Sequence, residues 1–372
     1  MIKKTCIIVS LLFSLCMSFA QEIVYREPAN KGYTRFYYDE NYYLVDKNCE
    51  FKSIERVAQY DTVMFGFNGE FKDFDRNGKL ILEGSYQNGN RNGPFKAYHP
   101  NGQLKWEAVY QDGREISDWK YYYPDGKPFL TLSFGEEDYK IMSYWDRLGE
   151  QKVIEGNGNY DITFPATGFS DHGYSAYRRH GKLVNGVPDG VWYINFITNP
   201  KKNTQEYIYR EVFEGGVRTS FIRNPDYYDH FIPYEDFWVV PTEYFGRAEF
   251  FLVHDCSFDE YSGFTNFIHK KIAEELEELD FELPNGSFQY KVKYEVSKTG
   301  QPVSLKLDSD SEKLPKKEQS KIHKLFESMY YFIPSIENGK AIKDNISLMG
   351  EFLIRNGKGT LNYVKIQREK GQ

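Results

Sequence analysis

The stretch that decides the fold reads Asn77-Gly78-Lys79-Leu80, then Gly84-Ser85-Tyr86-Gln87-Asn88-Gly89, then Asn92-Gly93-Pro94-Phe95, and so on to Asn101-Gly102. The pairs Asn77-Gly78, Asn101-Gly102 and Asp125-Gly126 are spaced by 24 residues. Phe71, Phe95 and Trp119 keep that interval, as do Phe74, Tyr98 and Tyr122, and Tyr86, Tyr110 and Phe134. A second set of turns, Asn88-Gly89 and Asp112-Gly113, falls between the first. Asn-Gly and Asp-Gly supply the positive φ angles of tight hairpin turns. Between turns, Phe95 and Ala97, and then Trp119, Tyr121 and Tyr123, recur at spacing two, the period of a strand. A lone hairpin is marginal in water, whereas stacked hairpins bury a shared face. The expectation is an elongated antiparallel sheet of stacked β-hairpin repeats with an aromatic buried side.

Working outward, the pattern weakens at Tyr144-Trp145-Asp146-Arg147-Leu148-Gly149 and then returns. Val184-Asn185-Gly186, Asp189-Gly190 and Trp192 repeat Gln87-Asn88-Gly89, Asn92-Gly93 and Phe95. Tyr209 to Gly216 repeats Trp106 to Gly113 once a short insertion is allowed at Asn199–Asn203. The array therefore spans residues 66–222, with an irregular insertion near 157–180 and lead-in strands at 21–65. These segments look like the bacterial variant of the MORN repeat: Asn77–Leu80, Gly84–Gly89 and Asn92–Phe95 carry the likeness. The run Tyr37-Tyr38-Asp39-Glu40-Asn41-Tyr42-Tyr43 is similar to the lead-in of some secreted bacterial members. The resemblance implies protein or surface interaction and brings no catalytic residues with it.

The amino terminus reads as a signal peptide over residues 1–20. Lys3 and Lys4 form a basic start, Cys6 to Phe19 is apolar, and Ser18-Phe19-Ala20 places small residues before a cleavage point at Gln21. The apolar run is shorter than the ~20 residues of a spanning helix. The expected location is the periplasm, the cell envelope or the exterior, with no membrane span after cleavage. Past that point two cysteines remain, Cys49 and Cys256. An oxidising compartment allows them one disulfide, and two buried thiols are equally compatible with the sequence.

The character changes after residue 222. Pro225, Pro233 and Pro241 among aromatics read as an irregular linker, 223–257, packed on its neighbours. An α+β pattern follows. Phe264, Phe267, Ile268, Ile272, Leu276 and Leu279 fall on one helical face. Phe288, Tyr290, Val292, Tyr294 and Val296 alternate as a strand, and Val303, Leu305 and Leu307 form its hairpin partner. Pro315 opens a second helix, and a last strand runs near Ile346–Ile354, leaving 356–372 as a tail. Over 258–355 this resembles the TonB carboxy-terminal domain. The likeness rests on Val296-Ser297-Lys298-Thr299-Gly300, on Pro302–Leu307, on a helix ending at Met329, and on Phe332-Ile333-Pro334 before Glu337-Asn338-Gly339-Lys340. It implies a habit of accepting a partner segment at an exposed sheet edge. The edge expected here is the last strand, through Leu348, Glu351, Leu353 and Ile354.

Composition narrows the function. Hydrophobic residues make up 40% of the chain, enough for real cores, and the aromatic excess of 31 Tyr and 29 Phe favours strands. A net charge of -7 argues against nucleic acid as partner. No His-Glu-x-x-His, Gly-x-Ser-x-Gly or phosphate-loop pattern occurs, and neither cysteine sits in a nucleophile motif. His172 and His180 flank a loop and read as scattered surface histidines. The expectation is a non-catalytic scaffold without metal or cofactor, in which the repeat sheet is spacer and binding surface and the terminal domain docks a protein of the outer membrane or periplasm. Two other readings stand beside it. One is a carbohydrate-binding or carbohydrate-active protein using repeat aromatics that face outward. The other is a secreted binder of the antitoxin type.

Overall fold

The computed structural model describes residues 23–136, 138–166, 169, 174, 176–199, 204–227, 239–241, 243–307 and 314–371. The expected signal peptide, His172 and Pro233 lie outside the described residues, as does most of the expected insertion at 199–203.

Seventeen strands form one sheet. They begin with β1 (Arg26–Pro28), β2 (Thr34–Tyr38), β3 (Ile54–Asp61), β4 (Gly66–Asp75), β5 (Leu80–Gln87), β6 (Asn90–Arg91), β7 (Gly93–Tyr98), β8 (Leu104–Gln111) and β9 (Arg114–Tyr122). They continue with β10 (Pro128–Phe134), β11 (Tyr139–Trp145), β12 (Gln151–Ile154), β13 (Asn157–Pro165), β14 (Ala176–Val184), β15 (Val187–Asn199), β16 (Thr204–Glu214) and β17 (Val217–Arg223). Strands pair antiparallel with their sequence neighbours, except that β6 and β7 both pair with β5 rather than with each other, so the chain runs as one meander from β1 to β17.

Two kinds of turn alternate along it. Asn88, Asp112 and Asn185 sit at φ 51°, 49° and 52°, each followed by a glycine with positive φ. That is the tight hairpin geometry which Asn-Gly and Asp-Gly favour. The other kind is closed by an amide of Gly78, Gly102, Gly126 or Gly149 donating to the carbonyl of Asp75, His99, Tyr123 or Asp146, respectively. The fourth of these is the weakened copy of the sequence pattern.

The strand period sends alternate side chains to opposite faces. Phe71, Leu82, Phe95, Trp106, Trp119, Tyr121, Leu132, Tyr160, Trp192 and Phe213 all belong to one buried cluster on the inner face. Where a ring must lie flat over the neighbouring strand, that strand carries glycine. A Cβ on Gly84 would come within 2.7 Å of the Phe95 ring, and one on Gly181 within 2.3 Å of Trp192.

Two expectations need correction. Much of the supposed insertion near 157–180 is ribbon: β13 and β14 pair along eight residues each, with Tyr160, Ile162, Phe164 and Tyr177 turned inward. These strands keep the period of two but lack the 24-residue spacing of the turns. Of the expected linker, residues 239–241 and 243–256 lie back across the inner face of the ribbon, and Phe245 and Ala248 belong to its core. The tail beyond residue 356 is not a tail but a strand.

In the terminal part, α1 (Phe258–Tyr261), α2 (Phe264–Glu277) and α3 (Lys316–Glu327) accompany β18 (Gly286–Val296), β19 (Pro302–Leu307), the small hairpin β20 (Ser335–Glu337) and β21 (Lys340–Ile342), and β22 (Asp344–Arg355) and β23 (Lys358–Arg368). The sheet order is β19-β18-β22-β23. Phe264, Phe267, Ile268, Ile272 and Leu276 of α2 and Ile322, Leu325 and Phe326 of α3 share its core with Val292, Tyr294, Leu348 and Ile354. Phe169 packs edge-on against Phe264 and Phe267, at 5.1 and 4.8 Å between centroids, and so ties the ribbon to α2.

The close approach at Gly84 makes a prediction. Gly84→Val forces the Phe95 ring out of its seat and should destabilise the chain by about 1–3 kcal/mol, the usual cost of overpacking. Gly78→Asn, at a turn where nothing lies within 4 Å of the added carbon, should cost far less. Urea unfolding of both variants distinguishes the two effects.

Candidate functional site

A ribbon with one apolar face must have that face covered. Here the cover is the strap formed by residues 239–241 and 243–256. Phe245 lies 5.8 Å from Phe95 and 5.7 Å from Trp106, ring to ring. Phe251 packs on Phe36, Tyr60 and Phe67 at 5.2–5.8 Å. Polar contacts fix the register. Lys105 Nζ meets Glu243 at 2.8 Å, Arg91 Nε meets Glu249 at 3.1 Å, and the Tyr86 hydroxyl donates to Glu249 at 3.0 Å. The Tyr160 hydroxyl donates to the Val239 carbonyl at 2.6 Å. Arg247 donates to the Asn41 carbonyl and lies 4.4 Å above the Tyr43 ring. At the exit, the Leu44 amide donates to Leu252 O and the His254 amide to Leu44 O. A disulfide joins Cys49 to Cys256 across 207 residues of chain.

Beneath the strap lies a buried polar centre. Arg56 and Asp73 are both fully buried, and Arg56 Nε and Nη2 donate to the two carboxylate oxygens at 2.7 and 2.9 Å. The Tyr42 hydroxyl also donates to Asp73, and the guanidinium lies 4.3 Å from the Phe71 ring. Burial holds the Tyr42 and Tyr86 hydroxyls well above their ordinary range. A second pair, Arg179 with Glu211 at 2.6 Å, occupies the later half of the ribbon. Burial pushes the carboxyl of Glu249 upward, and the nearby Arg91 charge only partly offsets this.

The outer face is charged in alternation. Lys72 stands opposite Glu83, Glu83 opposite Lys96, Lys96 opposite Glu107, and Glu107 opposite Lys120. Tyr98 donates to Glu83 at 2.7 Å and Tyr122 to Glu107 at 3.0 Å, the same bond one repeat apart. The repeat aromatics singled out in the sequence thus divide. Phe71, Phe95 and Trp119 fill the core, while Tyr98 and Tyr122 lie half-buried on the outer face with their hydroxyls engaged. Exposed rings on the strands at the ribbon's far end are Tyr193, Tyr207 and Phe221, and Phe65 stands exposed in the β3–β4 turn. His180 lies within β14 opposite Asp161 and Tyr193, and burial lowers its pKa. Among the described residues, no three His, Cys, Asp or Glu side chains converge as a metal would require, and no helix is long and apolar enough to cross a membrane.

The candidate docking strand also needs correction. Leu348, Glu351, Leu353 and Ile354 lie on β22, which is paired on both sides, by β18 and by β23. Leu348 and Ile354 are fully buried, and Glu351 accepts hydrogen bonds from Ser287 and from Asn362. The sheet's edges are β19 and β23; Lys358 at the start of β23 also bridges Asp280, and among the described residues β22 is the one strand paired with β23. Asn356-Gly357 turns the chain into it with φ 52° and 79°, the same signal that marks the ribbon hairpins. The strap, by contrast, carries no periodic signal that could have announced it.

Comparison with known families matches the MORN repeat variant at residues 67–88 and 91–112. These are the segments β4–β5 and β6–β8 together with their turns. No curated protein matches the chain.

Two outcomes follow for the strap. Cys49→Ser with Cys256→Ser should lower stability by about 2–5 kcal/mol, measured by denaturant unfolding against the oxidised parent. Because the folded carboxyl of Glu249 titrates above its unfolded value, the folded chain binds that proton more readily. Its contribution to stability is therefore full below the unfolded value near 4.5 and is lost as pH rises through the raised folded value. Glu249→Gln should flatten that decline in a pH series of unfolding curves.

Proposed function

We propose that this chain is a non-catalytic interaction module of the cell envelope, in which the ribbon is a rigid scaffold and the terminal domain docks a partner protein along β23. The observation that carries the proposal is the edge strand β23 of the terminal sheet, open beyond its bridge from Lys358 to Asp280. β23 runs eleven residues from Lys358 to Arg368, and Thr360, Asn362, Tyr363 and Lys365 stand exposed along it. An extended segment of another protein can add to such an edge through main-chain hydrogen bonds, with alternate side chains giving specificity. Repeats of the MORN type are interaction repeats, which favours a binding role for the ribbon as well. The likeness of residues 258–355 to TonB carboxy-terminal domains supports a partner in the periplasm or outer membrane, and the apolar amino-terminal run supports export.

The ribbon fits the scaffold role because its aromatic side is already filled by its own strap. What it offers outward is the ladder of alternating Lys and Glu. The alternative of a sugar platform would use exposed rings such as Tyr193, Tyr207 and Phe221.

The test is affinity capture from envelope fractions. The full chain should retain a partner that is lost when residues 258–372 are deleted, with near-ultraviolet circular dichroism confirming that the ribbon's buried tryptophans keep their environment. Capture that survives the deletion moves the docking surface to the ribbon and removes the role assigned to β23.

A further inference from the structure

We propose a carbohydrate-binding site on the outer face of the ribbon, across β14, β15 and β16, that takes a neutral polysaccharide of pyranose units. It is independent of the docking role of β23 and begins where the charged ladder breaks. Val184-Asn185-Gly186 and Trp192 repeat Gln87-Asn88-Gly89 and Phe95, so His180 stands where Glu83 stands, and Tyr193 where Lys96 does. The register agrees: Glu83 pairs with Lys96, and His180 with Tyr193. Asn195 likewise takes the place of Tyr98, and Tyr207, opposite it, the place of Leu104. Where the first half of the ribbon presents Lys and Glu, this part presents rings and amides.

The rings form a corner. His180 and Tyr193 lie 5.5 Å apart and within 25° of parallel, and Tyr207 stands 6.0 Å from Tyr193 at 71° to it. Each of three neighbouring strands contributes one ring, and the ~4.8 Å between strands is comparable to one sugar unit. Tyr193 and Tyr207 are 39% and 37% exposed. Phe221 is not part of the corner, because it pairs with the buried Glu211 and so belongs to the inner face. An exposed ring offers an apolar body to the C–H face of a sugar, and the tyrosines add a polar tip.

Planar polar groups flank the corner. Arg178, opposite Asn195, holds the Asp161 carboxylate through Nε at 2.6 Å and Nη2 at 2.5 Å. Its Nη1 donates to Gln205 Oε1 at 3.2 Å, and Asn195 Nδ2 donates to the same oxygen at 3.3 Å. Asn195 Oδ1 is buried without a donor. Such an acceptor is costly to leave unmet, and a ligand rich in hydroxyls supplies donors.

The charges select the occupant. Asp161 and Arg178 neutralise each other. Burial lowers the pKa of His180, and the Arg178 charge lowers it further, so that ring is neutral at pH 7. Arg210, opposite Tyr193, adds an exposed charge at the rim. An ionic partner gains little from charges that are already paired, whereas an uncharged chain of hydroxyls finds rings, donors and acceptors together. The scale fits as well. A stable protein interface takes about 800 Å² from each partner, some 20–30 residues, and this cluster is a handful of side chains, the size of a few sugar units.

The test is native electrophoresis of the full chain through gels containing hydroxyethylcellulose, glucomannan or galactomannan. At least one of these neutral polysaccharides should retard the parent relative to a plain gel. Tyr193→Ala with Tyr207→Ala should weaken the affinity read from that retardation roughly tenfold. Tyr193→Trp, which keeps a stacking ring, should retain it, and Lys96→Ala, at the equivalent ladder position, should leave it unchanged. A parent that runs unretarded in every gel, or a double variant retarded as much as the parent, overturns the proposal. Loss of a captured envelope protein by the double variant, with retardation intact, assigns the rings to a protein and equally overturns it. Retardation reports on β14–β16 and capture through residues 258–372 reports on β23, so either can fail alone.

Discussion

The one-sidedness of the ribbon governs this molecule. Each strand turns aromatic and aliphatic side chains to a single face, and burying that face is the dominant favourable term available to the fold. Stacking hairpins edge to edge extends the face but does not cover it. The cover comes from a segment far along the chain, which places Phe245 against Phe95 and Trp106 and Phe251 against Phe36 and Phe67. Arg91, Lys105 and Tyr86 hold Glu249 and Glu243 so that these rings meet the correct strands. These ion pairs are partly exposed and contribute little each, so the polar contacts specify position more than they add stability.

The same repeat that builds the inner face also builds the outer one. A period of 24 residues returns an aromatic to the core and, one residue on, a Lys to the surface: Phe71 and Lys72, Phe95 and Lys96, Trp119 and Lys120. Antiparallel register then sets Glu83 and Glu107 between those lysines. Exposed cross-strand pairs of this kind contribute only a few tenths of a kcal/mol each. Their effect is on pairing: a strand slipped by one residue would turn its lysine towards the aromatic face, so the ladder penalises wrong registers.

Much of the ribbon was legible because its signals are local. Asn88-Gly89 marks a turn by backbone chemistry alone, and Trp119 and Tyr121 mark a buried face by spacing alone. The strap was not legible, because its contacts join residues such as Tyr86 and Glu249 that are 163 positions apart and follow no period. β13 and β14 were hidden for a different reason: Tyr160, Ile162 and Phe164 alternate correctly, but the turn that closes them departs from the 24-residue spacing. β23 was readable and missed. Asn356-Gly357 carries the same hairpin signal as Asn88-Gly89, yet the strand behind it is an edge, with polar residues on both faces that blur the alternation. Taking β22 for the edge followed directly from that omission.

The strap also explains how two modules of different character are held together. The chain leaves the ribbon at Cys256, which is bonded to Cys49 in the lead-in, and enters α1 two residues later. Phe51 stacks on Tyr261 at 4.2 Å beside that junction, and Phe169 reaches from the ribbon into the packing of α2 and Tyr331. A flexible tether would let the terminal sheet sample every orientation, and a partner would then bear the ordering cost on binding. Three contacts around a short covalent junction reduce that freedom before any partner arrives. Pre-organisation of this kind does for the edge strand β23 what the hairpin turns do for the ribbon: it fixes the direction in which the strand faces.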